Sequence, residues 1–455
     1  MTKVVVPSGA LGLNYDKQAL QRAIATKPDI IAIDGGSTDS GPSYLGCGIS
    51  KYSRSSTKIE WKGLMEARAE AGVPLVIGTA GTCGADSAVD WLVDITKEIA
   101  DELGQNVKIA VLKSSQDKSD IKTAFKSDKI SPLEHAPKLH ENDIETFENI
   151  VALAGVEQIT EALNTGADII IAGRTTDTAI IAALPIQNNC HTGAAWHGAK
   201  IAECGALCAT NPQSGVILVD FDHEGFTVTP MADNAKATPH TVSAHMLYEN
   251  SNPFILYEPG GHLDVTEANY SAIDQKSVRV EGAKWVPSDN YTVKLEGSRI
   301  TGYQVMIMAL VRDSHYVDHI DQWTSDISEL CSAKVLDRLD LTKDDFDIEL
   351  RLIGKNATLG SIDKNPVAAS EIGVMGIVTA QTAALAKEIA KILNPYLLHH
   401  PLTKEEEVPT FAFPFSPAEI DVGPVYEFGL NHVLQLDHPM DAFSLDVIEV
   451  KNGTS

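Results

Sequence analysis

The feature that most restricts the fold is a three-part unit repeated through the first 210 residues. A short β-branched run leads into a loop rich in Gly, Ser, Thr and Asp, and then into helical periodicity. Residues 4–6 lead into 7–12, 30–33 into 34–42, 75–77 into 78–87, 107–112 into 113–117, and 169–171 into 172–178. After the third loop Leu92, Ile95, Ile99 and Leu103 recur at helical spacing. Asp86 or Ser87 suits its N-cap, and Gly104 suits the position just past its end. Strands alternating with helices predict an α/β fold: a mostly parallel sheet, right-handed crossovers and helices on both faces. Ligands in such sheets bind outside the carboxyl ends of the strands, where all of these polar loops lie.

The rest of the chain changes character. Residues 215 to about 300 hold β-type runs separated by His- and Pro-bearing stretches. From Tyr291 the pattern predicts two strands at 291–295 and 304–311, then a helix near 317–335. Strands at 346–353 and 371–378 follow, then a helix near 382–398 repeating Leu385, Ile389, Ile392 and Leu393. The division expected is 1–290, an α/β ligand-binding domain with a β-rich extension from about 215, and 291–455, a smaller α+β domain. Its Pro-rich segment, ending Phe413-Pro414-Phe415-Ser416-Pro417, is apolar enough to dock on the body.

Charge narrows the partners. The chain carries 62 acidic and 36 basic side chains, a formal net charge of −26. That argues against nucleic acid and against anionic lipid, both bound through Lys/Arg-rich surfaces. No run reaches the roughly 18 apolar residues of a membrane span. The start has no charged region followed by an apolar one, so no secretory signal is expected. Six dispersed cysteines with no CxxC pair read as reduced usage, and the expected location is cytoplasmic.

Several groups can carry chemistry. In the second loop Gly35, Gly36, Ser37 and Thr38 offer backbone N–H groups to an anion, and in the third Gly81 and Thr82 do the same. Each loop reads equally as a capped turn. The third is neither a Walker A loop nor a dinucleotide fingerprint. Arg174 follows an apolar strand, where its fork can grip a carboxylate with Thr175 beside it; the competing reading is a salt bridge to Asp177 or Asp39. His197, Lys200, Glu203 and Cys204 are three to four apart, so a helix puts a base, an ammonium, a carboxylate and a thiol on one side. Catalytic roles are expected for Glu203, His197, Cys204 and Asp39, and substrate contacts for His240 and His262. If the strand ends converge, Asp34, Asp39, Asp86 and Asp177 can jointly hold a divalent cation such as Mg²⁺; the alternative is four helix caps.

Read together, these runs resemble the acyclic terpene utilisation (AtuA-like) family. The resemblance rests on DGGSTDSGP at 34–42, GTAGTCGAD at 78–86, AGRTTDTA at 172–179, HGAKIAECGAL at 197–207, TPHTVSAHMLYEN at 238–250 and EPGGHLD at 258–264. The SPAEIDVGPVYEF run at 416–428 marks a branch distinct from the founding terpene proteins. The resemblance implies a cytoplasmic catabolic protein acting on acids and acyl chains, often with a small companion protein. The chain shows no redox-cofactor motif and no GxSxG elbow, which leaves acid/base chemistry. The expected activity is a lyase (hydratase or dehydratase) or isomerase acting on a small carboxylic acid or its acyl thioester. The alternatives are an acyl-CoA hydrolase or lyase of branched-chain or terpenoid breakdown, and a non-catalytic acid-binding subunit that needs the companion. A homo-oligomer is expected.

Overall fold

The structure is a computed structural model and describes residues 1–363 and 368–451, without the side chains of Asp39 and Ser361. The chain forms two compact units, Met1–Arg299 with Phe428–Ser455, and Ile300–Glu427. No helix among the described residues is long and apolar enough to cross a membrane.

The larger unit is built on a ten-stranded sheet. Its centre is five parallel strands in the spatial order Thr2–Val6, Ile30–Asp34, Leu75–Gly78, Ile169–Ala172, Val107–Lys113. These are the five runs read from the sequence. The flanks are antiparallel. Ile217–Phe221 pairs with Thr2–Val6 and is followed outward by Gly225–Pro230, Val278–Glu281 and Asn269–Ala272. Ser444–Val450 closes the other edge against Val107–Lys113. The sheet is therefore mixed, because short connections such as that between Phe221 and Gly225 allow only antiparallel neighbours.

Alternation along the parallel strands feeds two cores. Val4, Val6, Ile30, Ala32, Ile170 and Ala172 face the helices Val156–Asn164, Ala179–Gln187 and Thr192–Ala202. Val5, Ile31, Ile33, Ile169 and Ile171 face Lys17–Ala25, Arg54–Ala71 and Asp86–Leu103. Strands buried on both faces read as continuous apolar runs, which is why they stood out. The Asp86–Leu103 helix ends at Gly104 in the left-handed region (φ 64°). Its N-cap is Ala85 rather than Asp86 or Ser87, with no side-chain cap bond. Asp86 instead accepts the backbone N–H groups of Ser114 and Ser115 at 3.2 and 3.0 Å.

In the smaller unit residues 303–311 pair antiparallel with Ile372–Ala380, which pairs with Phe346–Ile353. Val305, Ile307, Trp323, Ile327, Ile389 and Leu393 make the core under the helices Ile320–Leu339 and Ala383–His399. The Pro-rich segment belongs to this unit: Leu310 N–H donates to Ala412 O at 2.8 Å, and Phe411 packs edge-on to Trp323.

Two expectations are corrected. Residues 291–311 are one strand, Tyr291–Val311, not two. Residues 295–299 pair with Phe147–Ala152 through a bulge, which carries the strand across Gly297. The glycine serves close packing, since a Cβ there would lie 2.9 Å from the Leu430 Cβ. The division also differs from 290/291. The chain leaves the larger unit at Arg299 and returns at Phe428, because Ser444–Val450 adds an edge to the large sheet.

Candidate functional site

A cavity of about 830 Å³ opens in the larger unit at the carboxyl end of the Ile169–Ala172 strand. The loop after that strand supplies Arg174, Thr175, Thr176, Asp177 and Thr178. Lys200 comes from the Thr192–Ala202 helix and Glu203 from its C-cap. The hairpin Ile255–Glu258 with Gly261–Asp264 adds Leu256, Tyr257 and Glu258. Lys294 comes from the long strand, and Leu133, Leu153 and Val433 complete an apolar wall. Tight backbone approach aims the Arg174 loop. Gly84 adopts φ +64° and a Cβ there would lie 2.4 Å from the Arg174 nitrogen, so only glycine fits.

Arg174 is 5 % exposed, and its fork is filled. Its Nε donates to Glu296 Oε2 at 2.9 Å and its Nη2 to Oε1 at 3.4 Å. Nη1 reaches Thr79 Oγ1 at 3.3 Å and Nη2 reaches Thr38 Oγ1 at 3.2 Å. Burial opposes the Glu296 carboxylate, but Arg174 and Lys294 outweigh it and hold Glu296 down at about 2. The bidentate grip expected on a substrate is therefore made on Glu296, which is the salt-bridge partner of Arg174, with the Asp177 charge acting on it as well; the Asp39 side chain lies outside the described residues. Lys294 Nζ donates to the same carboxylate at 2.8 Å.

Three carboxyls, of which Glu258 and Glu203 line the cavity, are pushed the other way. Burial raises Glu258 to about 7, Asp177 adds to that, and the Thr178 and Thr176 hydroxyls oppose it. Thr178 donates to Glu258 Oε1, while the buried Oε2 has no hydrogen-bond partner among the described residues. Burial raises Glu203 to about 8, even with Lys200 in a close ion pair on its Oε1. Burial and then Asp177 raise Asp34 well above the usual carboxylate range, against Arg174 and the Gly36 N–H at 2.8 Å.

The remaining expected residues divide clearly. Thr175 lines the cavity and its N–H meets Thr79 Oγ1 at 3.3 Å. Cys204 stands beside Glu203, and burial followed by that carboxylate pushes its thiol well up, so it is held protonated. His197 does not share the side of Glu203. It is fully buried, its Nε2 lies 3.0 Å from the Tyr270 hydroxyl, and its ring meets Phe226 edge-on. Six residues is about 1.7 helical turns, which turns His197 into the core. Burial lowers it to about 3.

The second and third loops support the site rather than line the cavity. Gly35 N–H donates to Gly78 O at 2.8 Å, and Thr82 Oγ1 donates to Gly35 O at 2.9 Å. The space beside Gly35 and Gly81 is only about 10 Å³. Gly36 donates to Asp34 and Thr38 accepts from Arg174, so these N–H and hydroxyl groups serve the loop itself; Ser37 lies in the same loop. His240 is exposed on the Pro239–His245 helix, and His262 faces Tyr257 with ring centroids 5.6 Å apart; neither lines the cavity. The four-aspartate cation site does not assemble among the described residues: Asp86 is spent on Ser114 and Ser115, and the Asp39 side chain lies outside them. The one group of three metal-type donors among the described residues is Glu203, Cys204 and His245.

Sequence reasoning missed Glu258, Glu296 and Lys294. Glu258 opens the Glu-Pro-Gly-Gly turn, where a carboxylate followed by a rigid turn was a readable signal. Glu296 carried none, being one polar position in a β-run and 122 residues from its partner.

No curated protein and no solved structure matches the chain. A family model described as acyclic terpene utilisation family protein AtuA matches residues 60–410. That span contains Arg174, Lys200, Glu203, Glu258 and Glu296, and covers well over half of the sequence. The chain belongs to the acyclic terpene utilisation AtuA family.

Proposed function

We propose that the cavity is the active site of a lyase (hydratase or dehydratase) or isomerase that moves protons on a carboxylic acid or its acyl thioester. The observation that carries the reading is Glu258. Its carboxyl is raised to about 7, it lines the cavity, and its Oε2 has no hydrogen-bond partner among the described residues. A group of that kind takes and returns a proton at neutral pH. In the proposed reaction Glu258 removes the proton from the carbon next to the substrate carbonyl, and returns one when the new double bond or C–O bond is made or broken. Lys200 balances the negative charge that gathers on the carbonyl oxygen.

The substrate carboxylate or phosphate is assigned to Lys294 rather than Arg174. Its side chain is 37 % exposed, against 6 % for both Arg174 and Lys200. The apolar wall and a volume of about 830 Å³ favour an acyl chain over a very small acid.

The test is the purified chain incubated in D₂O with hydroxy, unsaturated and CoA-linked acids. The expected result is deuterium at the carbon next to the carbonyl of at least one class, with turnover in that class. Absence of both exchange and turnover across the panel, with and without a small companion protein, would overturn the reading.

A further inference from the structure

We propose that Cys204, His245 and Glu203 bind a borderline-soft divalent cation, zinc by their ligand chemistry, at the wall of the cavity. The donors come from two segments. Glu203 caps the Thr192–Ala202 helix and Cys204 follows it, and His245 ends the Pro239–His245 helix. One carboxylate oxygen, the thiol sulfur and one imidazole nitrogen all lie within 4.8 Å of one another. Zinc at about 2.0–2.3 Å from each would place tetrahedral donors about 3.3–3.8 Å apart. Rotation of side chains supplies the difference.

The second observation is His245 itself. It is 5 % exposed, and its Nε2 has no hydrogen-bond partner among the described residues. A buried ring nitrogen without a partner costs free energy unless something meets it. Tyr248 stacks on the ring, with centroids 5.4 Å apart and planes 12° from parallel, which fixes its orientation.

Lys200 holds Oε1 of Glu203, which leaves the second oxygen to a metal. A thiol, an imidazole and a carboxylate suit zinc and are poor for magnesium, which takes oxygen ligands. Three protein ligands leave a fourth position, the arrangement of catalytic rather than structural zinc. Glu203 belongs to both the donor set and the cavity wall, so that position is available to a substrate carbonyl. This proposal is independent of the acid/base reading, because binding is measured without substrate.

The test uses the full chain purified without chelator and equilibrated with zinc or cobalt(II). Metal content per chain is read by mass spectrometry, and the cobalt form by absorption. The expected result is one ion per chain and a thiolate-to-cobalt charge-transfer band. Cys204→Ser should abolish the band and weaken zinc binding at least about 100-fold, as should His245→Ala. Cys83→Ser, in a separate buried cluster with Leu45 and Ala88, should change neither. Circular dichroism confirms that each variant is folded, and the wild-type cobalt spectrum stands without any variant. No bound metal in the wild type, a cobalt complex without the thiolate band, or unchanged binding in folded Cys204→Ser would overturn the proposal.

Discussion

Arg174 and Glu296 lie 122 positions apart in the chain and meet in a two-point ion pair, Nε to Oε2 at 2.9 Å and Nη2 to Oε1 at 3.4 Å, both almost fully buried. The pair ties the loop after the last central strand to the long strand that leaves the larger unit. It fixes the floor of the cavity and consumes the guanidinium that would otherwise face substrate.

Glu296→Gln should therefore destabilise the protein by about 3–5 kcal/mol, because it leaves a buried guanidinium without its counter-charge. Arg174→Met combined with Glu296→Leu should cost less than Glu296→Gln alone, since neither charge is then stranded. Denaturant unfolding of the three proteins checks this; a near-neutral Glu296→Gln would contradict it.

Glu258 gives a pH signature. Its folded carboxyl is raised from 4.5 to about 7, so the native state holds a proton that the unfolded chain gives up. Folding is unpenalised below about pH 4.5, loses stability as pH rises to 7, and is level above that. Glu258→Gln removes the penalty. It should gain roughly 3 kcal/mol on wild type at pH 8 relative to their difference at pH 4. Unfolding curves at the two pH values test it, and a difference that does not change with pH would refute the environment assigned to Glu258.

His197 titrates with the opposite consequence. Burial lowers it to about 3, so its contribution to stability is full above about pH 6.5 and is lost as pH falls toward 3. His197→Leu should remove that acid sensitivity, cost about 1–2 kcal/mol through the Tyr270 hydroxyl it strands, and leave turnover near normal. A large fall in kcat with intact folding would return His197 to the reaction.

Lys294→Met should raise KM for the acid or thioester by about 10-fold, with kcat changed far less, because the residue binds ground state and transition state alike. Steady-state kinetics separate the two. A fall in kcat at constant KM would move Lys294 into the chemistry itself.

The parallel centre of the fold was legible because strands buried on both faces are written as apolar runs, as in Ile30–Asp34 and Ile169–Ala172. The placement of ligand space was legible only in part. The rule of strand carboxyl ends led to the loop at Arg174, but it also led to Gly35, whose N–H and C=O bond to Gly78 and Thr82 of the third loop, and to Gly81, which has only a small space beside it. Spacing cannot tell an N–H that awaits a ligand from one that has a neighbour. Helical spacing grouped His197 with Glu203, yet three steps twice over turn a side chain off the shared face. Glu296 depends on an approach from 122 positions away, and nothing local in its strand reports that, whereas Glu258 had a local mark in the turn it opens.

The most direct test of the central claim is the pH dependence of substrate deuterium exchange, wild type against Glu258→Gln. The account predicts a wild-type profile with an inflection near pH 7 and a rate reduced about 100-fold or more in Glu258→Gln with that inflection gone. Equal rates in the two proteins, or the same inflection in both, would contradict it.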